Sequence, residues 1–109
     1  MLKKENRLKK RKEYKYIFRK GKKLFSESFI MVYVPTKLEN YKIGVSISKK
    51  VGNAVERNRI SRRLKNALRK QNININPKYN YIFVARKNAT TKNYKQIYLE
   101  IENLLKRLN

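Results

Sequence analysis

The stretch Lys49–Arg69, reading KKVGNAVERNRISRRLKNALR, constrains this chain more than any other segment. Eight of its residues are Lys or Arg, and only Glu56 is acidic. Asn53 followed by Glu56 has the spacing of a helix N-cap and its N3 acid, which predicts a helix over roughly Ala54–Lys70. At 3.6 residues per turn, Ile60, Leu64, Ala67 and Leu68 form one apolar stripe. Asn58, Arg62, Lys65 and Arg69 line up nearly opposite, flanked by Arg59 and Arg63. The helix must therefore bury one face and leave the other with like charges at i,i+4 spacing, which repel. A polyanion relieves that repulsion, so nucleic acid is the partner this face fits. Asn58 is a poor helix former in mid-helix, which suits a hydrogen-bonding role.

The whole chain shares the bias. Thirty Lys and Arg face seven Glu, giving a net charge of +23 over 109 residues. Neutralising ~6–8 phosphates would give a log–log salt slope of roughly −4 to −7. The length allows one small domain, residues 1–109, and the 40% apolar content supports a modest core. Cys, His and Asp are absent. Disulfides, thiolate zinc sites and the usual neutral-pH proton shuttle are thereby excluded. The seven Glu are scattered, whereas two-metal nuclease chemistry needs carboxylates that converge. Glu100 and Glu102 are neighbours, but i,i+2 residues on a helix point apart. The expectation is no catalytic residue and no metal site in the protein itself. The basic N-terminus lacks a secretory signal and no stretch approaches ~20 apolar residues, so the expected location is the cytoplasm, with no membrane partner.

Along the chain, Met1–Arg11 is a basic segment, readable as a soluble terminus or as an arm that orders on RNA. Lys12–Lys20 predicts a short helix with Tyr14, Ile17 and Phe18 on one stripe and Gly21 at its C′ position. Leu24–Val34 reads as one strand ended by Pro35. Phe25, Phe29, Met31 and Tyr33 share one parity and Ile30, Val32 and Val34 the other, so both faces should be covered. Tyr41–Ser48 alternates between Tyr41, Ile43, Val45 and Ile47 on a core face and Lys42, Gly44, Ser46 and Ser48 on a small, polar one. Such a face lets something approach the backbone closely. An Asn-rich loop with Pro77 leads to a strand over Tyr81–Arg86. A last helix carries Tyr94, Ile97, Tyr98, Ile101, Leu104, Leu105 and Leu108 on a core stripe. The order helix, two or three strands, helix, strand, helix suggests an α+β layer with helices on a small sheet.

Aromatics on a helix stripe are usually core, yet Tyr14 and Phe18 lie among basic groups, where half-exposed rings stack unpaired bases. Tyr33 and Tyr81 share the ambiguity with weaker claims. Arg86 and Lys87 end an apolar strand, where a charge must reach solvent or a phosphate.

The run GVSISKKVGNAVERNRISRR closely resembles the signature of the bacterial ribonuclease P protein subunit, an Arg-Asn-Arg helix after a Lys-Lys-x-Gly-Asn-Ala run. RLKKRKEYKYIFRKG resembles that family's first helix, and VARKNATT its fourth-strand exit. The resemblance implies a two-layer α/β sandwich of about four strands and three helices, akin to one domain of ribosomal protein S five and to part of the translocation elongation factor. It also implies a left-handed βαβ crossover through the Arg-Asn-Arg helix, although general rules favour the right-handed one. The implied activity is endonucleolytic removal of the 5′ leader of precursor tRNA. In this family the RNA subunit cuts, using Mg2+, and the protein binds no cofactor of its own. Implied partners are that catalytic RNA and the single-stranded leader, with no DNA. By matching position, Tyr14, Phe18, Ser48, Lys49, Lys50, Arg86 and Lys87 would line or edge a leader cleft. Arg57, Asn58, Arg59, Arg62, Lys65 and Arg69 would serve the RNA subunit and substrate. Two departures stand out. Ser61 occupies a position usually held by Lys, which would shift a basic contact toward Arg63. Val32 occupies the place of a strand aromatic, with Tyr33 pointing the other way. The rival reading is a structural RNA-binding protein of ribosomal type with no part in cleavage.

Overall fold

The computed structural model describes residues 3–109; Met1 and Leu2 of the basic arm lie outside the described residues. Three helices, α1 (Arg11–Lys20), α2 (Ala54–Lys70) and α3 (Tyr94–Leu108), accompany four strands, β1 (Lys22–Phe25), β2 (Phe29–Pro35), β3 (Ile43–Ser46) and β4 (Tyr79–Ala85). They form one mixed sheet in the order β1-β2-β4-β3. The β1–β2 and β2–β4 pairs are antiparallel, while β3 and β4 are parallel neighbours joined through α2.

Strand parity divides the core. Phe29, Met31, Ile43, Tyr81, Phe83 and Ala85 pack with Ile60, Leu64, Ala67 and Leu68 of α2 and Ile97, Ile101, Leu104 and Leu105 of α3. The α2 residues are the four that helical periodicity selects. Val32, Val34 and Ile82 face the other way and pack with Ile17 of α1 and Leu8 of the arm. The sheet and α2/α3 make the two principal layers, and α1 adds partial cover to the opposite face.

The caps follow the sequence. Asn53 Oδ1 accepts from Glu56 N–H at 2.8 Å and Glu56 Oε1 accepts from Asn53 N–H at 2.9 Å, satisfying two donors at the start of α2. Asn93 and Gln96 repeat the arrangement at α3.

Three readings change. The expected single strand Leu24–Val34 is a hairpin, turned at Ser26–Ser28. Glu100 of α3 fixes the turn, its Oε1 accepting from Ser26 Oγ at 2.6 Å and Ser28 N–H at 2.8 Å. Apolar residues flank the turn on both sides, so local sequence reads as continuous while a distant carboxylate sets the bend. Gly21 does not adopt a left-handed C′ conformation; its φ is −73° and ψ 152°. Glycine is required there by proximity, since a Cβ would lie 2.5 Å from Ile17 O and 2.7 Å from Val32 Cγ1. Tyr81 belongs to the closed core: it is fully buried, with its hydroxyl donating to Asn76 O at 2.7 Å.

Candidate nucleic-acid interface

Helix α1 crosses the sheet along one row of residues. Tyr14 lies on Gly44 of β3, where a Cβ would come within 2.6 Å of the phenol oxygen. At the other end Gly21 abuts Val32 of β2. Gly44 and Val32 both pair with Ile82 of β4, so the helix spans the row Gly44–Ile82–Val32, with Ile17 buried beneath it. The missing side chain at Gly44 is what lets the helix come this close, as the small face of the β3 segment allows.

One side of α1 is tied to the lower part of this face. Glu13 meets Lys42 at 3.5 Å, and Glu13 and Tyr16 border a cavity that reaches Asn80. Tyr14 and Phe18 lie one helical turn apart on the other side of Ile17; Tyr14 lies over Gly44 and reaches the β3 edge, and Phe18 flanks the next row up. That row, Ser46–Val84–Ile30, is only half-buried across all three strands. The result is a groove with a sheet floor and an aromatic wall. Phe18 is 42% exposed.

Basic groups stand at the rim. Ser48, Lys49 and Lys50 are exposed in the turn after β3, closed by Val51 N–H donating to Ser48 O at 3.1 Å. Because β3 and β4 are parallel, Arg86 and Lys87 leave the sheet at the same end, and both are exposed. Arg86 is held there, its backbone N–H donating to Ser28 O at 2.8 Å and Nη1 to Ser26 O at 3.2 Å.

The α2 face lies behind the sheet. Asn58, Arg62 and Arg69 are exposed, and Arg57, Arg59 and Lys65 are half-buried. Arg57 Nε donates to Gly52 O at 3.2 Å, which orders the loop before the helix. Arg63, next to the contact missing at Ser61, donates from Nη1 to Lys92 O at 2.7 Å, tying α2 to the start of α3. The two basic surfaces meet at the β3 edge. A cavity of about 230 Å³ there is lined by Lys65 of α2, Arg7 and Lys9 of the arm, and Tyr14. The arm is docked at this edge, Leu8 N–H donating to Ile43 O at 2.9 Å and Asn6 Nδ2 to Tyr41 O at 2.7 Å. Tyr14 Oη donates to Leu8 O at 3.3 Å. Burial raises the Tyr14 pKa above its ordinary value, a hydrogen bond from the Val45 backbone partly offsets this, and Glu13 adds to it. Its hydroxyl therefore stays protonated and clasps the arm to the strand. Sequence reasoning did not single out Arg7 and Lys9; the lone apolar Leu8 between them was the available signal for docking.

The carboxylates serve structure. Glu13 pairs with Lys42, Glu27 with Lys92 and Glu102 with Lys106, Glu56 caps α2 and Glu100 holds the hairpin. Glu100 and Glu102 thus diverge. Tyr33 faces α2/α3 and packs edge-on against Tyr79 at 5.5 Å, so it stands away from the groove; Val32, fully buried under α1, offers no ring to it.

A family model for ribonuclease P matches residues 2–109. The chain belongs to the ribonuclease P protein family. It is 38% identical to the ribonuclease P protein component of Clostridium novyi, with 97% of this chain and 96% of that one covered. It is 35% identical to the component of an Exiguobacterium species, covering 97% and 92%. Among solved structures, the fold is similar to the RNase P protein of Staphylococcus aureus, with a TM-score of 0.87, 30% identity and 95% of each chain covered. The RNase P protein of Thermotoga maritima shares the fold at a TM-score of 0.86 and 24% identity, covering 94% and 97%.

Proposed function

We propose that this chain is the protein subunit of a ribonuclease P, assisting removal of the 5′ leader from precursor tRNA. The observation that carries the reading is the half-open groove between α1 and the sheet, with a basic rim, in a chain of this family. Phe18 and Tyr14 offer faces on which unpaired leader bases stack, each such contact contributing ~1–3 kcal/mol. Ser48, Lys49, Lys50, Arg86 and Lys87 follow the phosphates of the same strand. On the reverse side Arg57, Asn58, Arg59, Arg62, Lys65 and Arg69 engage the RNA subunit and the substrate near the cut.

Bond cleavage belongs to the RNA subunit, which uses Mg2+. Five of the seven acids, Glu13, Glu27, Glu56, Glu100 and Glu102, are engaged in a cap, ion pairs and a turn. What a +23 protein supplies is relief of repulsion between two polyanions. The partners are the catalytic RNA and the precursor tRNA leader, in the cytoplasm. Among the described residues no helix is long and apolar enough to cross a membrane.

Reconstitution tests the proposal. Protein plus its cognate RNA should cleave precursor tRNA at limiting magnesium, where RNA alone is slow. Protein alone should give no site-specific product. Equal rates with and without protein at limiting magnesium would contradict the assignment.

A further inference from the structure

The groove floor does not stop at β2. Ile30 pairs with Phe25 of β1, and residues directly opposite in a pair share a face of the sheet. The next pair agrees, for Leu24 lies opposite Met31 and both pack toward α2 and α3. Phe25 therefore continues the row Ser46–Val84–Ile30 on the α1 side. It is 53% exposed, more than Phe18, in a strand otherwise carrying Lys22 and Lys23 outward.

Its position is fixed from behind. The carbonyl of Phe25 accepts from Arg107 Nη2 of α3 at 2.6 Å. Ser26, the next residue, is held by Glu100, and its carbonyl accepts from Arg86 at 3.2 Å. An exposed aromatic ring thus stands next to a turn held by hydrogen bonds, with the Arg86 guanidinium bonded to the carbonyl of the following residue. The arrangement pairs a stacking surface with a cation able to bind phosphate; Lys22, Lys23, Arg86 and Arg107 flank the ring, while Glu27 is paired with Lys92 and Glu100 is engaged by the turn.

We infer that Phe25 is a second stacking platform for the single-stranded leader, at the β1 end of the groove. This rests on the leader reading of the groove and extends it. The strand enters over the Lys49–Lys50 turn, passes Tyr14 and Phe18, and ends its contact on Phe25 beside Arg86. Three strand spacings of roughly 4.8 Å separate β3 from β1, a span that a few nucleotides cross. Phe25 supplies, at the far end, an aromatic contact that Val32 does not supply in the middle.

The test is a leader-length series bound to the reconstituted holoenzyme, comparing wild type, Phe25→Ala, Phe25→Tyr and Phe18→Ala. Wild-type affinity should rise stepwise as the leader lengthens. Phe25→Ala should leave leaderless and short-leader precursors unchanged and lose the last step, about five- to 150-fold. Phe25→Tyr should restore it. A uniform loss at every length, or no loss at any, would overturn the inference. If Phe18→Ala removes leader dependence and Phe25→Ala does not, only the extension fails. If neither changes it, the groove itself is not the leader site.

Discussion

The two faces of the sheet use the same strands in opposite ways. On the α2/α3 side, Phe29, Met31, Tyr81 and Phe83 are sealed under two capped helices. On the α1 side, a ten-residue helix covers one row and leaves the next half-exposed. A strand's alternation builds both, with one parity closed and the other left half-open. The sealed face holds the charges of α2 in place on its outer surface, and the open face holds aromatic rings in reach of an unpaired strand.

The sharpest break in this comparison comes from the sealed side. Leu64→Ala should cost ~2–5 kcal/mol of stability, read by urea denaturation, because the site is fully buried and collapses poorly. Phe18→Ala, on the open side, should change stability by under about 1 kcal/mol. Similar losses for the two would mean the α1 face is as closed as the other.

Gly44→Ala should come next, at ~1–3 kcal/mol, since the new methyl meets the Tyr14 ring. Amide exchange at Leu8 should accelerate as the Tyr14 clasp is lost. An unchanged Leu8 would show that the arm is held without Tyr14.

How much of this could be read beforehand follows the range of the interactions. The buried stripe of α2 and its Asn53–Glu56 cap were legible because both are local. The groove was half legible: the small face of β3 announced a close approach, but not that Tyr14 would be its occupant. The hairpin at Ser26–Ser28 was not legible, because the acid that fixes it lies on α3. In a single strand Phe25 would share a face with Phe29, Met31 and Tyr33; the hairpin reverses this, because Phe25 lies opposite Ile30 and so faces α1. Arg63 looked like another surface charge until its bond to the Lys92 carbonyl placed it between helices.

Smaller effects sharpen the contrast. Arg62→Ala on the outer face of α2 should weaken RNA binding across sequences and reduce the salt slope by about 1, with stability unchanged. In the sealed face, burial raises the Tyr81 pKa well above the ordinary value of 10.0. Above that ordinary value the unfolded chain ionises this tyrosine while the native state does not, so unfolding releases a proton and stability falls as pH rises. Tyr81→Phe should flatten the decline above about pH 10 in a stability–pH profile.

The central claim is that the open face of the sheet holds the leader. The direct measurement is the affinity of the reconstituted ribonucleoprotein for a tRNA precursor with and without its leader, in wild type and Phe18→Ala. The account predicts tighter binding of the leader-bearing precursor by wild type, and a Phe18→Ala loss of ~1–3 kcal/mol confined to that substrate. Equal affinities for the two substrates in wild type, or an equal loss on both in the variant, would contradict it.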